Sequence, residues 1–273
     1  MQHRKIAFIG AGNMSKSIIS GLVKNGYPAS SIFASNPSRP KLDELHNTLG
    51  IQISQSNAEV VAQCDVIVLA VKPQLMEQMC SDLAASNTLD GKLFISIAAG
   101  LPVKRLQEML QGQDKVIRTM PNTPSALGKG MTGLFAPENI STADKEYAGQ
   151  LLKHVGEIAW VNEESLIDSV IAAAGSSPAY FFAFLEAMQQ EAERQGIDHD
   201  TARLLVQQAM LGAAEMVCHN PQLEISELRA QVTSKGGTTA KALESFAAHN
   251  LSDIVAKSMQ AAVARAQEMA RTF

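Results

Sequence analysis

Cysteine is scarce in this sequence: Cys64, Cys80 and Cys218 are odd in number and show no metal-type spacing. That excludes a disulfide framework and leaves buried thiols in a reducing compartment as the expectation. The six histidines fall into no ligand pattern, and in "DHD" at 198–200 Asp200 is placed to cap the following helix, so no metal is expected. Basic runs are missing as well, and a formal net charge of −4 offers nothing for nucleic acid to bind. Unbroken apolar stretches such as "VIVLAV" at 66–71 and "VIAAAG" at 170–175 fall well short of the roughly 20 residues of a membrane helix. The N-terminus has no apolar leader with a small-residue cleavage site, so the reading is a cytoplasmic protein that meets no membrane. With 46% hydrophobic and 18% charged residues the chain is a folded one, long enough for one large domain or two ordinary ones. It carries no internal repeat.

What is present divides into two halves. Up to about residue 161, short β-branched runs alternate with helical periodicity. Strands are expected at 5–9, 32–35, 66–70, 93–97 and 116–119, with weaker ones at 132–135 and 159–161, and helices at 13–25, 74–84 and 102–110. That alternation implies parallel strands with crossover helices, a doubly wound α/β sheet. From "NEESL" at 162–166 the β signal stops, and helices follow at about 178–194, 200–218, 239–248 and 251–271. The division is therefore 1–163 for a dinucleotide-binding domain and 164–273 for a helical one. Small apolar residues in "AMLGAAEMV" and "MQAAVARAQEMA" let helices approach closely and suit burial against a second copy, so a homodimer built on this half is expected. The alternative is a monomer whose bundle packs only on its own sheet. Met188 and the other bundle methionines read as core filler.

"KIAFIGAGNMSKSIISGLV" at 5–23 places Gly10 directly after a strand and Gly12 two residues on, with an amphipathic helix behind. Gly10 permits the tight turn, Gly12 lets the backbone approach a pyrophosphate, and the helix N-terminus offers N–H groups to the anion. Ser15 holds the third fingerprint position, where Gly or Ala is usual. After the second strand, "FASNPSRPK" carries Ser35, Asn36, Ser38 and Arg39 in place of the acid that would receive a ribose 2′-hydroxyl. Hydroxyl, amide and guanidinium groups suit a 2′-phosphate, so NADPH is expected, with NADH as the weaker alternative.

Further loops leave strand ends. "AVKPQ" at 70–74 has a rigid exit at Lys72 and Pro73, although Lys72 also reads as a plain solvated lysine. "SIAAG" lies at 96–100, and "RTMPNTP" at 118–124 sets two prolines around Asn122 and Thr123, a stiff polar loop suited to the nicotinamide and substrate face. "AAGSSPAYFF" at 173–182 places Ser177 before Pro178 as an N-cap and first-turn pair.

Taken in order, "FIGAGNM", "AVKPQ", "SIAAG", "RTMPNTP", "GSSPAYFF" and "VTSKGGTTAKAL" at 232–243 resemble the Δ1-pyrroline-5-carboxylate reductases. The resemblance implies an N-terminal dinucleotide domain, a helical dimerisation domain and, in many members, rings of dimers. It carries cofactor contacts to Ile9, Gly10, Ala11, Gly12, Asn13 and Met14, to Asn36 and Asn57, to Ala70, Val71, Lys72 and Pro73, and to Ile97, Ala98 and Ala99. Arg39 and Asn122 join that set from the reading of their loops. Substrate contacts fall at Gln231, Ser234, Gly236, Gly237, Thr238 and Thr239, with Ser176 as a further wall contact. Lys235 stands where the family pattern has proline.

The chemistry of "VTSKGGTT" fits. Backbone N–H groups of Ser234, Gly236 and Gly237, just before a helix, can converge on a small carboxylate, and the hydroxyls of Ser234, Thr238 and Thr239 add donors. Holding that carboxylate orients the ring C=N bond for hydride addition. The matched motifs contain no His, Asp or Glu, so the nitrogen gains its proton from solvent or from a hydroxyl, with Thr239 as the candidate donor.

Two other readings share parts of this pattern. A β-hydroxyacid dehydrogenase has the same glycine turn, but that class carries a catalytic lysine on the first long helix of its second domain, and residues 165–193 contain none. A non-catalytic NADPH sensor would show a degraded substrate loop, which "SKGGTT" is not.

Overall fold

The computed structural model describes residues 3–86 and 89–272. Its chain separates into two compact units, one comprising Met1–Pro178 with Ala261–Phe273 and the other Ala179–Gln260.

The first unit is organised by a sheet of β1 (Ile6–Ile9), β2 (Ile32–Ser35), β3 (Gln52–Ser54), β4 (Val66–Leu69), β5 (Leu93–Ser96), β6 (Val116–Met120), β7 (Gly130–Phe135) and β8 (Gly156–Trp160). Their order is β3-β2-β1-β4-β5-β6-β7-β8, and the first six follow the doubly wound dinucleotide fold. Strands β1 to β6 pair in parallel, as the alternating pattern requires. β7 departs from the expected parallel sheet by running antiparallel to β6, with β8 parallel to β7. The link from β6 to β7 spans residues 121–129 and holds only a 3-10 turn, too short for the crossover a parallel partner needs.

The helices of the chain are α1 (Asn13–Lys24), α2 (Arg39–Leu49), α3 (Asn57–Gln63), α4 (Met76–Ser86), α5 (Val103–Met109), α6 (Thr142–Lys153), α7 (Leu166–Val170), α8 (Ser177–Arg194), α9 (His199–His219), α10 (Ile225–Gln231), α11 (Thr238–Ala248) and α12 (Leu251–Thr272). Side chains of β1 alternate between two cores. Ile6 and Phe8 join Ile18, Leu22, Val68 and Ile95, while Ala7 and Ile9 join Ile67, Met79, Phe94 and Leu106. Burial on both faces is why these strands read as unbroken apolar runs.

The sheet unit extends past the expected boundary at 163/164. Buried Arg118 on β6 bonds Glu164 at 3.2 Å and Asp168 of α7 at 3.1 Å. Gly133 of β7 leaves room for Val170, whose Cγ1 a Cβ there would approach to 2.6 Å. These contacts bind 164–178 to the sheet. The last part of α12 belongs here too: Gly100, at φ +73°, lies so close to Met269 that an added Cβ would come within 2.7 Å of the methionine's Cβ.

The helical unit buries little. Among the described residues of Ala179–Gln260, only Ala202, Val206 and Leu228 are buried, while Phe181, Phe182, Leu204, Leu205, Ile225 and Ile254 are each more than half exposed. Three expectations are corrected here. Met188 is exposed on α8 and fills no core. Cys218 is exposed, unlike Cys64 and Cys80, because α9 turns that face outward. Asp198, not Asp200, caps α9, accepting the Thr201 N–H at 3.1 Å, while Asp200 sits two residues too late and lies in the first turn of the helix.

The run Leu166–Arg194 is, by length and composition, apolar enough to cross a membrane. Gly175, Ser176, Ser177 and Pro178 break it into short apolar stretches, yet residues 170–185 hold no charge.

Candidate active site

At the C-terminal end of β1 the chain turns sharply through Gly10, whose φ of +110° favours glycine. A Cβ there would lie 2.8 Å from the Ala70 carbonyl oxygen, so the turn and the loop after β4 touch backbone to backbone. Gly12 has open space where a Cβ would project. The N–H groups of Gly12, Asn13 and Met14 find no partner among the described residues, leaving the α1 N-terminus free to receive an anion. Buried Ser15 donates its hydroxyl to the Gly10 carbonyl at 2.6 Å. The serine that departs from the usual fingerprint thus ties the first turn of α1 to the glycine turn.

Asn36 accepts the Ala11 N–H at 3.2 Å and donates to the Ser38 carbonyl at 3.2 Å, bridging the glycine turn to the loop after β2. Asn57, the first residue of α3, accepts the buried Ser35 hydroxyl at 2.7 Å. Arg39 is exposed and its Nε donates to Asp43 at 2.8 Å. Lys72 is exposed, with Ala70, Val71 and Pro73 half-buried around it, and Ile97, Ala98 and Ala99 follow β5 beside the same end of the sheet. The structure therefore brings the residues expected to meet a cofactor in the sheet unit to one end of the sheet, at the switch point where β1 lies between β2 and β4. A dinucleotide fits these residues: a glycine turn with free N–H groups, space at Gly12, and no acid in the first turn of α2.

Asn122 proves different. It is buried, its Oδ1 accepts the Met131 N–H at 2.8 Å, and its Nδ2 donates to the Ala174 carbonyl at 3.0 Å. Its side chain is a clamp between β7 and the segment before α8, not a free cofactor ligand. The reason lies in Pro178, which has no N–H for the carbonyl four residues earlier, that of Ala174. Ser177 serves the same carbonyl by donating its hydroxyl at 3.2 Å, so it does not cap α8 as expected. The chain enters α8 through a π turn at Ile171–Gly175, closed by the Ser176 N–H on the Ile171 carbonyl at 2.8 Å.

In the helical unit, Gln231 ends α10 and is exposed. The next turn closes with the Gly237 N–H on the Ser234 carbonyl at 3.0 Å, Gly236 standing at φ +72°. That bond removes Gly237 from the expected set of anion donors. The expected N–H groups of Ser234 and Gly236 stay free among the described residues, as do those of Thr238, Thr239 and Ala240 in the first turn of α11. The hydroxyls of Ser234, Thr238 and Thr239 are likewise unpartnered there, and Lys235 is exposed without an ion pair among the described residues. A loop with this many open donors and no acid has the chemistry to hold a small anion.

Arg118 opens the motif "RTMPNTP", and an arginine between Ile117 and Thr119 in a buried strand signals an acid partner. Its partner Glu164 also accepts the Val103 N–H at 2.7 Å, linking β6, α5 and the segment entering α7.

Known proteins match the whole chain. The family model described as pyrroline-5-carboxylate reductase dimerisation covers residues 164–269, and one described as NADP oxidoreductase coenzyme F420-dependent covers residues 5–100. A pyrroline-5-carboxylate reductase of Vibrio alginolyticus is 56% identical over 273 residues, 100% of both chains. The solved structure of a pyrroline-5-carboxylate reductase from Coxiella burnetii superposes with a TM-score of 0.89 at 38% identity, covering 98% of this chain and 99% of that one. That of the Plasmodium falciparum pyrroline carboxylate reductase with NADP bound gives 0.89 at 28% identity, covering 99% of each.

Proposed function

This chain belongs to the pyrroline-5-carboxylate reductase family, and from that premise we propose that it reduces the C=N bond of 1-pyrroline-5-carboxylate to give L-proline, with NADPH as reductant. The observation that carries the assignment is likeness over the full length, beside which stand this chain's own glycine turn and donor-rich loop. NADPH supplies the hydride. The N–H groups of Gly12, Asn13 and Met14 hold the pyrophosphate, and Asn36 keeps the turn in register with the loop that meets the 2′-phosphate. Residues 70–73 and 97–99 line the cofactor path. Residues 1–163 form the cofactor segment, and 164–273 the substrate and dimerisation segment, the latter supported by the family match at 164–269.

The substrate carboxylate is held by the N–H groups of Thr238, Thr239 and Ala240 and by the hydroxyls of Ser234 and Thr238, with Gln231 and Gly236 shaping the loop. That grip fixes how the imine is presented. Thr239 delivers or relays the proton to nitrogen, the role left open because the loop contains no stronger acid. Thr239→Val should lower kcat by about a hundredfold with little change in KM for the carboxylate, and Thr239→Ser should restore it. An unaltered kcat in the valine variant removes Thr239 from that role.

The bare apolar faces of the helical unit suit a homodimer of this cytoplasmic enzyme, and the exposed apolar residues of α8, Phe181, Phe182 and Phe184 among them, are assigned to that contact and not to a bilayer. Purified protein given pyrroline-5-carboxylate and NADPH should consume NADPH and form proline in equal amounts. NADPH binding without turnover would replace the enzyme with a sensor.

A further inference from the structure

The first turn of α2 is built against the usual rule. Helix N-termini carry partial positive charge and favour acids, yet this one begins Ser38-Arg39-Pro40-Lys41 with no acid in its first turn. The Ser38 hydroxyl caps nothing, and Lys41 is exposed without an ion pair among the described residues. The one acid in reach is Asp43, a turn further along, and it holds Arg39 through the 2.8 Å bond to Nε. An Arg that precedes its acid on a helix is the less favourable order, because the cation then sits at the positive end. The pair is also exposed, with side chains 57% and 45% accessible, so it is easily exchanged.

We propose that Asp43 sets the margin by which this protein prefers NADPH over NADH, by competing with the cofactor's 2′-phosphate for Arg39. The inference rests on the reading that Arg39 meets that phosphate. In the free protein Asp43 neutralises Arg39. A phosphate dianion arriving at the α2 N-terminus meets a guanidinium whose Nε and charge are already engaged by the carboxylate, so it binds at full strength only as that pair loosens, whereas NADH, lacking the phosphate, leaves the pair intact. Asp43 acts through Arg39 and is a positioning residue, not a ligand.

Calorimetric dissociation constants for NADP+ and NAD+, and for 2′,5′-ADP as a probe without nicotinamide, test this without turnover. Asp43→Asn should tighten NADP+ and 2′,5′-ADP roughly two- to fivefold, the size of an exposed ion pair, and raise the NADP+/NAD+ affinity ratio by the same factor. Arg39→Gln should weaken NADP+ by about tenfold or more. In the Arg39→Gln background Asp43→Asn should produce no tightening. If Arg39→Gln lowers the ratio but Asp43→Asn does not raise it, the proposal fails while the reading of Arg39 stands. Equal tightening in both backgrounds reveals only a general charge effect and also overturns the proposal. An Arg39→Gln protein with an unaltered ratio overturns the reading of Arg39 itself.

Discussion

Successive residues of β1 disappear into two separate cores in the sheet unit, whereas the helical unit buries only Ala202, Val206 and Leu228 among its described residues. The two glycine turns differ in the same sense. The turn at Gly10 is packed against the Ala70 backbone and tied by Ser15, while the turn at Gly236 is exposed and stands among unpartnered donors. One unit closes its cores within the chain; the other leaves apolar faces and loop donors open among its described residues.

Substitutions that strike each unit separately should separate these roles. Arg118→Met leaves the half-buried Glu164 and Asp168 without their buried cation, and should cost about 3 kcal/mol. Chemical denaturation should show that loss to the same extent at every protein concentration, because the network lies wholly inside the sheet unit. Phe182→Glu, on an exposed face of α8, should instead weaken self-association by about a hundredfold or more and make thermal stability depend on concentration. Sedimentation that finds the variant still fully dimeric would move the interface elsewhere. Ser15→Ala should cost about 1–2 kcal/mol by leaving the Gly10 carbonyl without its 2.6 Å donor, and weaken cofactor binding alongside.

The smallest effect expected is on thiols. Burial pushes both Cys64 and Cys80 up from 9.0 to about 12, so neither should react with iodoacetamide at pH 8 until the chain unfolds. Both pKa values are raised in the folded state. The stability that comes from keeping the thiols protonated is therefore fully present below pH 9.0 and is lost as the pH rises toward 12. Labelling of Cys64 or Cys80 in the native protein at pH 8 would contradict the closed core of the sheet unit.

The sequence was most readable where one segment answers to one physical demand. The runs at 32–35, 66–69 and 93–96 are buried on both faces, so their apolar residues are continuous and the strands lie close to where the pattern places them. β3 escaped because it is a three-residue edge strand, "QIS", with Gln52 exposed, and so carries no apolar run. α2, α3, α6 and α10 are polar on their outer faces or a mere seven residues long, which blurs a 3.6-residue period. In the loops, residue types indicated chemistry but not which groups were spent on structure. Gly237 gives its N–H to Ser234, and Asn122 gives both ends of its amide to Met131 and Ala174. Neither partner is visible as a spacing.

By itself the sequence determined the doubly wound sheet, the glycine turn, the absence of an acid after the second strand and the donor-rich loop at 232–239. Each rests on local periodicity or on residue chemistry within a few positions. Tertiary structure alone decided the reversal of β7, the attachment of residues 164–178 to the sheet through Arg118, the clamp role of Asn122 and the donors left free at the start of α11. These depend on which distant groups meet, and a hydrogen bond between residues 52 positions apart, as from Asn122 to Ala174, leaves no period in the chain to read.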